Sequence, residues 1–312
     1  MSLLARSISA LCVLAGVAAA DPTVTVAPAK PHPGDPVLVT VTGTTDVPRG
    51  KAGGAELQFF PAEAGFQAVF AVPLNVNEDH ILVEFTAGPK PLSIPIVVKT
   101  FPETSVIVEE EYADPPKANR VTIDADNTAI VASYAKAAGA PQFAHGFHRP
   151  PGTVTSTFGE WRTFNDSHRA QHLGLDLAAR EGSPVAAIDD GIVALVRDTF
   201  LAGTVVVIAH GGGISSLYFH LSKASVAEGD KVTQGSKLGL AGHTGRTTGP
   251  HLHLSIHVPG GMVDPASFIK LPIYARMKRA AQTGGHLSGV VLPSASTSSA
   301  MTRPATRPTP RT

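Results

Sequence analysis

Two short stretches carry the residue types that hold cations and move protons. They are His172-Leu-Gly-Leu-Asp176 and His251-Leu-His253, the second preceded by Gly249-Pro250. Side chains two apart in a strand share a face, so His251 and His253 project together. His172 and Asp176 do the same if their stretch is extended. On a helix that pair would also align, but Gly174 and the β-rich neighbourhood speak against helix. Two imidazoles and one carboxylate make a three-donor zinc set that leaves a position open for water; closed structural sites want four protein ligands, usually thiolates. Each cluster alone is weak, since HxxxD arises by chance and a lone HxH is more often a surface pair. Together they are specific. Of thirteen histidines, ten fall between 145 and 257, and imidazole is both the commonest metal ligand and the usual acid–base group near neutral pH. Between the clusters, His220 stands in an alternating run, Tyr218-Phe-His220-Leu221. By itself it reads as a buried, hydrogen-bonded core residue; beside a metal it becomes a candidate proton carrier.

The elements around these residues read as β structure. The chain has 312 residues, 43% hydrophobic and 16% charged, with 30 Gly and 26 Pro. That is enough for two domains and favours turn-rich strands over long solvated helices. A formal net charge of zero gives no field to attract nucleic acid or acidic lipid. Residues 1–20 have one charge at Arg6, an apolar run from Ile8 to Val17, and Ala18-Ala19-Ala20 before Asp21. This is the layout of a cleavable signal peptide, with a run too short to span a membrane comfortably. It contains the only cysteine, Cys12, so a mature chain would have no disulfide and would bind zinc through His and carboxylate alone. No membrane span is expected after signal removal.

Residues 21–101 alternate short apolar runs with Gly and Pro, which predicts an immunoglobulin-like β-sandwich accessory domain. Residues 102–150 read as a linker with a short helix over 124–136 and an arm around His145-Gly-Phe-His148-Arg-Pro-Pro151. Residues 151–275 form a second β region without an evident ten-residue amphipathic helix. Residues 276–312 read as a Ser/Thr/Pro/Arg-rich disordered tail. The fold class expected is therefore all-β.

Residues 143–270 resemble the lysostaphin-type (LytM-type) zinc metallopeptidases that cut peptidoglycan peptides. The resemblance runs through Phe158-Gly159, Arg162-Thr-Phe-Asn165, His172-Leu-Gly-Leu-Asp176, Pro184-Val-Ala-Ala187, Gly191-Ile-Val193, Tyr218-Phe-His220-Leu221, Gly229-Asp230-Lys-Val232 and Gly242-His-Thr-Gly-Arg-Thr-Thr-Gly-Pro-His-Leu-His253, in that order. It implies a mostly antiparallel metallopeptidase domain with one Zn2+ per chain. It implies His172, Asp176 and His253 as ligands and His220 with His251 as the catalytic pair. It also places a polar loop with Asn165 near the metal. The family often has Glu two residues after HxH, where this chain has Ser255, a change that bears on the residues behind the ligands. His243 and Arg246 are candidates for the substrate groove; His257 and His210 read as packing or strand-end residues, and His168 as exposed.

The function expected is an exported zinc endopeptidase of peptidoglycan stem or bridge peptides, monomeric, acting in the periplasm or cell wall. A non-catalytic wall-binding regulator on the same fold is the alternative. A lipoyl-type carrier is disfavoured because no lysine sits at a hairpin tip between the Gly-rich turns. The sandwich and the 143–151 arm are candidates for covering the cleft.

Overall fold

Val37, Leu38, Val39 and Val41 of the strand Pro36–Thr42 are all at most 3% exposed. A strand buried on both faces must lie between two layers. The computed structural model, which describes residues 21–143 and 146–275, shows those layers. The expected leader (1–20), His145 and the expected tail (276–312) lie outside the described residues. One antiparallel sheet runs Thr23–Ala27, Pro36–Thr42, Gly65–Ala71, Phe60–Ala62; a second runs Ala55–Glu56, Gly50–Ala52, His80–Phe85, Leu92–Pro95. Val37, Val39 and Val41 meet Phe70, Ile81, Val83 and Ile94 between them. Leu38, Val69 and Ala71 point the other way, into the core of the larger β region.

That region is built on an antiparallel sheet in the order Val154–Ser156, Leu175–Ala178, His251–Val258, Ile214–Ala224, Gly203–Gly211, Gly191–Thr199, Lys231–Val232. One face carries Leu175, Leu177, Ile208, Tyr218, Leu252 and Leu254. The opposite face carries Ala194, Val205, Val207 and Leu217, covered by Ile130 and Ala137.

Those covering residues come from the segment expected to be a linker. Its helix, Lys117–Ser133, starts seven residues before the expected 124 and continues as a 3-10 turn, Tyr134–Ala137. The start follows Pro115-Pro116 directly, because proline opens a helix but cannot sit inside one. Ahead of it, Glu103–Val106 pairs in parallel with Trp161–Phe164, which pairs in turn with His168–Gln171. In the expected arm, Phe143 and Phe147 are 0% and 3% exposed and pack edge-on against Phe60 and Phe268. Among the described residues, no helix is long and apolar enough to cross a membrane.

Candidate metal centre

A single strand pair assembles most of the site. In the antiparallel ladder Asp176 faces His253 and Ala178 faces His251. Leu175 and Leu177 go to the core, so Asp176 is turned with the two histidines toward the other face. His172 lies four residues upstream, where the chain bends past Gly174. A Cβ at Gly174 would meet Nε2 of His253 at 2.4 Å and the Leu254 carbonyl oxygen at 2.7 Å. Only glycine lets the loop pass under the His253 ring.

His172 Nε2, Asp176 Oδ1 and His253 Nδ1 form a triangle with sides of 3.0, 2.9 and 2.8 Å. Carbonyl oxygens only accept, so the partners outside the triangle fix the tautomers. His172 Nδ1–H donates to the Thr157 carbonyl at 2.8 Å, which leaves Nε2 bare. Ser255 Oγ–H donates to the Leu173 carbonyl at 2.8 Å and therefore accepts from His253 Nε2–H at 2.9 Å, which leaves Nδ1 bare. Three lone-pair atoms then face one another with no proton between them. Without a cation at that point they repel. Donors about 2.0–2.2 Å from a tetrahedral zinc stand about 3.4 Å apart, so the triangle needs to open by only about 0.5 Å. The donor chemistry fits zinc.

Asp176 is strongly buried. Its other oxygen, Oδ2, accepts from Arg162 at 2.6 Å. Arg162 also donates to Glu160 at 3.2 Å and to Ser156, and Ser156 bonds Glu160 in turn.

His220 reaches the site by breaking the alternation its run suggests. Phe219 pairs with His253 across the ladder, so regular pleating would send His220 to the opposite face, beside Tyr218. Instead His220 has φ 60° where the register with Gly203–Gly211 slips. This is a bulge, and it puts two successive side chains on one face. The His220 ring lies 4.9 Å from that of His251 and 5.9 Å from that of His253. Its Nδ1–H donates to the Thr244 carbonyl at 2.8 Å, and burial pushes its pKa down to about 3. His251 Nδ1–H donates to the Gly249 carbonyl at 2.8 Å, and its Nε2 stands 3.6 Å from Asp176 Oδ1. Both rings therefore offer a bare Nε2 on the cleft side.

The cleft is about 410 Å³. His220, His251, Asp176, Arg162 and Arg246 line it, and so do Thr104, Val106 and Val108 from the segment expected to be linker. Asn165 does not reach the triangle. With Asp166 it forms the left-handed tip of the Trp161–Phe164/His168–Gln171 hairpin, and its amide bonds Val108 on both sides, at 2.9 and 3.0 Å. His243 points away and pairs with Glu181 at 3.1 Å. His257 stacks on Tyr134 with centroids 3.8 Å apart, and His168 is exposed. His210 is fully buried, donating to the Asp190 carbonyl at 2.7 Å, remote from the cleft. Arg162 was visible only as one letter of a motif. Its strand alternation with Phe164, which also lines the cleft, was the available signal.

The model of peptidase family M23 matches residues 170–265. The peptidoglycan DD-endopeptidase ShyA of Vibrio cholerae serotype O1 is 46% identical over 95 residues, 30% of this chain and 22% of that protein. The DD-carboxypeptidase/endopeptidase Mpg of Neisseria meningitidis serogroup B is 44% identical over 101 residues, 32% of this chain and 23% of that protein. The chain thus covers under a quarter of either relative. A solved structure from Pseudomonas aeruginosa, assigned to the M23 peptidases, superposes with TM-score 0.58 at 27% identity, covering 77% of this chain and 95% of that one. That likeness of fold extends well beyond residues 170–265.

Proposed function

We propose, from the match of residues 170–265 to the model of peptidase family M23, that this chain is an exported zinc endopeptidase hydrolysing peptide cross-links of bacterial peptidoglycan. One observation carries the reading. Three lone-pair atoms, on His172, Asp176 and His253, converge within 3.0 Å of one another with their tautomers set by outside partners. His172 Nε2, Asp176 Oδ1 and His253 Nδ1 hold the ion. Zinc bound there supplies Lewis acidity to the scissile carbonyl and lowers the pKa of water at the site to about 7.

The remaining work falls to the chain's own side chains. Arg162 neutralises the outer oxygen of Asp176 and keeps the carboxylate from turning. His220 and His251 each present an unprotonated Nε2 to the cleft. One accepts the proton from the attacking water. The imidazolium so formed then protonates the departing amine or steadies the oxyanion. A non-catalytic regulator would have no use for two further imidazoles poised beside an intact donor triangle.

The export and wall setting rest on the leader-like first twenty residues and on the wall substrates named for the relatives. The test is to purify residues 21–312, measure metal by mass spectrometry, and digest isolated peptidoglycan. About one zinc per chain is expected, with released muropeptides, abolition by chelator and recovery on adding zinc. Activity that survives complete metal removal, or a zinc-loaded chain that releases nothing, overturns the proposal.

A further inference from the structure

Arg246 lies in the loop 242–250 before the strand His251–Val258, with its guanidinium carbon 4.0 Å from the centroid of the Phe164 ring. It lines the cleft with His220, His251 and Asp176, and also the adjoining hollow bounded by His172 and His253. Its neighbour Arg162 is fully engaged by Asp176 and Glu160. Among the described residues, Arg246 has no carboxylate within ion-pairing distance and its side chain donates no hydrogen bond. Burial and the Arg162 charge both act against its ionised form. A guanidinium is nevertheless always charged and brings five donors in a rigid fork. Stacking on an aromatic face holds that fork in one plane and leaves its edge free.

We propose that Arg246, seated on Phe164, is a subsite for a substrate carboxylate adjoining the scissile amide, so that the chain prefers cross-links carrying a free carboxylate there over uncharged bridges such as oligoglycine. This rests on the cleft being the peptidase site proposed above. Within a peptide substrate the available anions are carboxylates, and the planar fork matches a carboxylate with two parallel hydrogen bonds. The fixed acids of the cleft cannot fill this role, because Asp176 and Glu160 already pair with Arg162. An uncharged bridge would leave the guanidinium half-buried and unmatched, and a site built for a polar partner discriminates against a substrate that lacks it.

The experiment compares three synthetic substrates with the zinc-loaded mature chain. One is a stem-peptide dimer with the carboxylate next to the scissile amide free. The second is the same dimer with that carboxylate converted to the carboxamide. The third carries a pentaglycine bridge. The wild type is expected to favour the free carboxylate by about ten-fold or more in kcat/KM. Arg246→Gln should collapse that ratio toward one, chiefly through KM, and Arg246→Lys should recover part of it, as a point charge without the fork. Calorimetric binding of the free-carboxylate peptide to the metal-free chain should weaken in the same order. Equal cleavage of acid and amide by the wild type, or a preference that survives in Arg246→Gln, overturns the subsite and leaves the peptidase reading standing. Failure of the wild type to cut any of the three overturns both. The acid-to-amide ratio of the wild type decides the matter even if Arg246→Gln fails to fold.

Discussion

Four imidazoles meet at this site, and each gives its single N–H to an acceptor outside the donor triangle: Thr157, Thr244, Gly249 and Ser255. The first three acceptors are carbonyls fixed by the backbone. The fourth is a hydroxyl that is itself tied to the Leu173 carbonyl. Replacing Ser255 by Ala strands His253 Nε2–H without an acceptor and allows the proton to move to Nδ1, inside the donor triangle. Zinc affinity is expected to fall about 10–100-fold, measured by competition with a chelating indicator. Unchanged affinity would mean that packing against Phe219 and Gly174 alone holds the ring. His251 differs from the three donors in standing 3.6 Å from Asp176 Oδ1, outside the close triangle. His251→Ala is therefore expected to keep zinc near one per chain while cleavage drops by about 10²–10⁴-fold. Loss of zinc in that variant would place His251 among the ligands.

At the scale of elements, two devices make the site, and only one has a period that can be read. The facing of Asp176 and His253 follows from alternation along two strands, which is why HxH and the Asp of the first cluster were legible together. The bulge at His220 was not, because a left-handed non-glycine residue leaves no mark in a run that otherwise alternates. Asn165 shows the complementary error. A polar residue near the cleft in sequence turned out to shape a hairpin and clamp Val108. Gly174 belongs with the bulge, since its necessity appears only when the His253 ring is seen lying on it. Gly174→Ala places a methyl 2.4 Å from His253 Nε2, under any normal contact distance. Rotation of the ring out of the triangle relieves that contact, and a small shift of the loop must relieve the one with the Leu254 carbonyl oxygen at 2.7 Å. The expected result is a chain that melts cooperatively but binds zinc at least about ten-fold more weakly. A variant with wild-type zinc affinity would show that the loop itself yields instead.

At the scale of the whole chain, the sequence read as beads on a string: sandwich, linker, catalytic region. Those boundaries come from composition, which marks turns well but cannot say which faces of a strand are covered. Leu38 carried the missing information, as the wrong-facing apolar residue of a strand whose other side already had Val37, Val39 and Val41. The region before residue 143 closes both faces of the sheet that carries the candidate site. Leu38, Phe60, Val69 and Ala71 enter one core, and Ile130 and Ala137 seal the other. Glu103–Val106 also pairs with the strand bearing Arg162. An inhibitory cover would be removable, with a gain in wall cleavage when residues 21–142 are deleted. The packing argues for the opposite outcome. Deletion uncovers Val205, Val207 and Leu217, each now fully buried, and burial of such a side chain stabilises by about 1.5–3 kcal/mol. Those three alone approach the roughly 5–15 kcal/mol that separates a typical folded domain from its unfolded chain, before the other face is counted. The truncated chain is expected to lose its cooperative melting transition and to aggregate, with wall cleavage abolished. Calorimetry and a peptidoglycan digest on the same preparation check both halves. A soluble, cooperatively melting truncation that cuts wall material faster than the full chain would show that the N-terminal region restrains the cleft and is dispensable to the sheet beneath it.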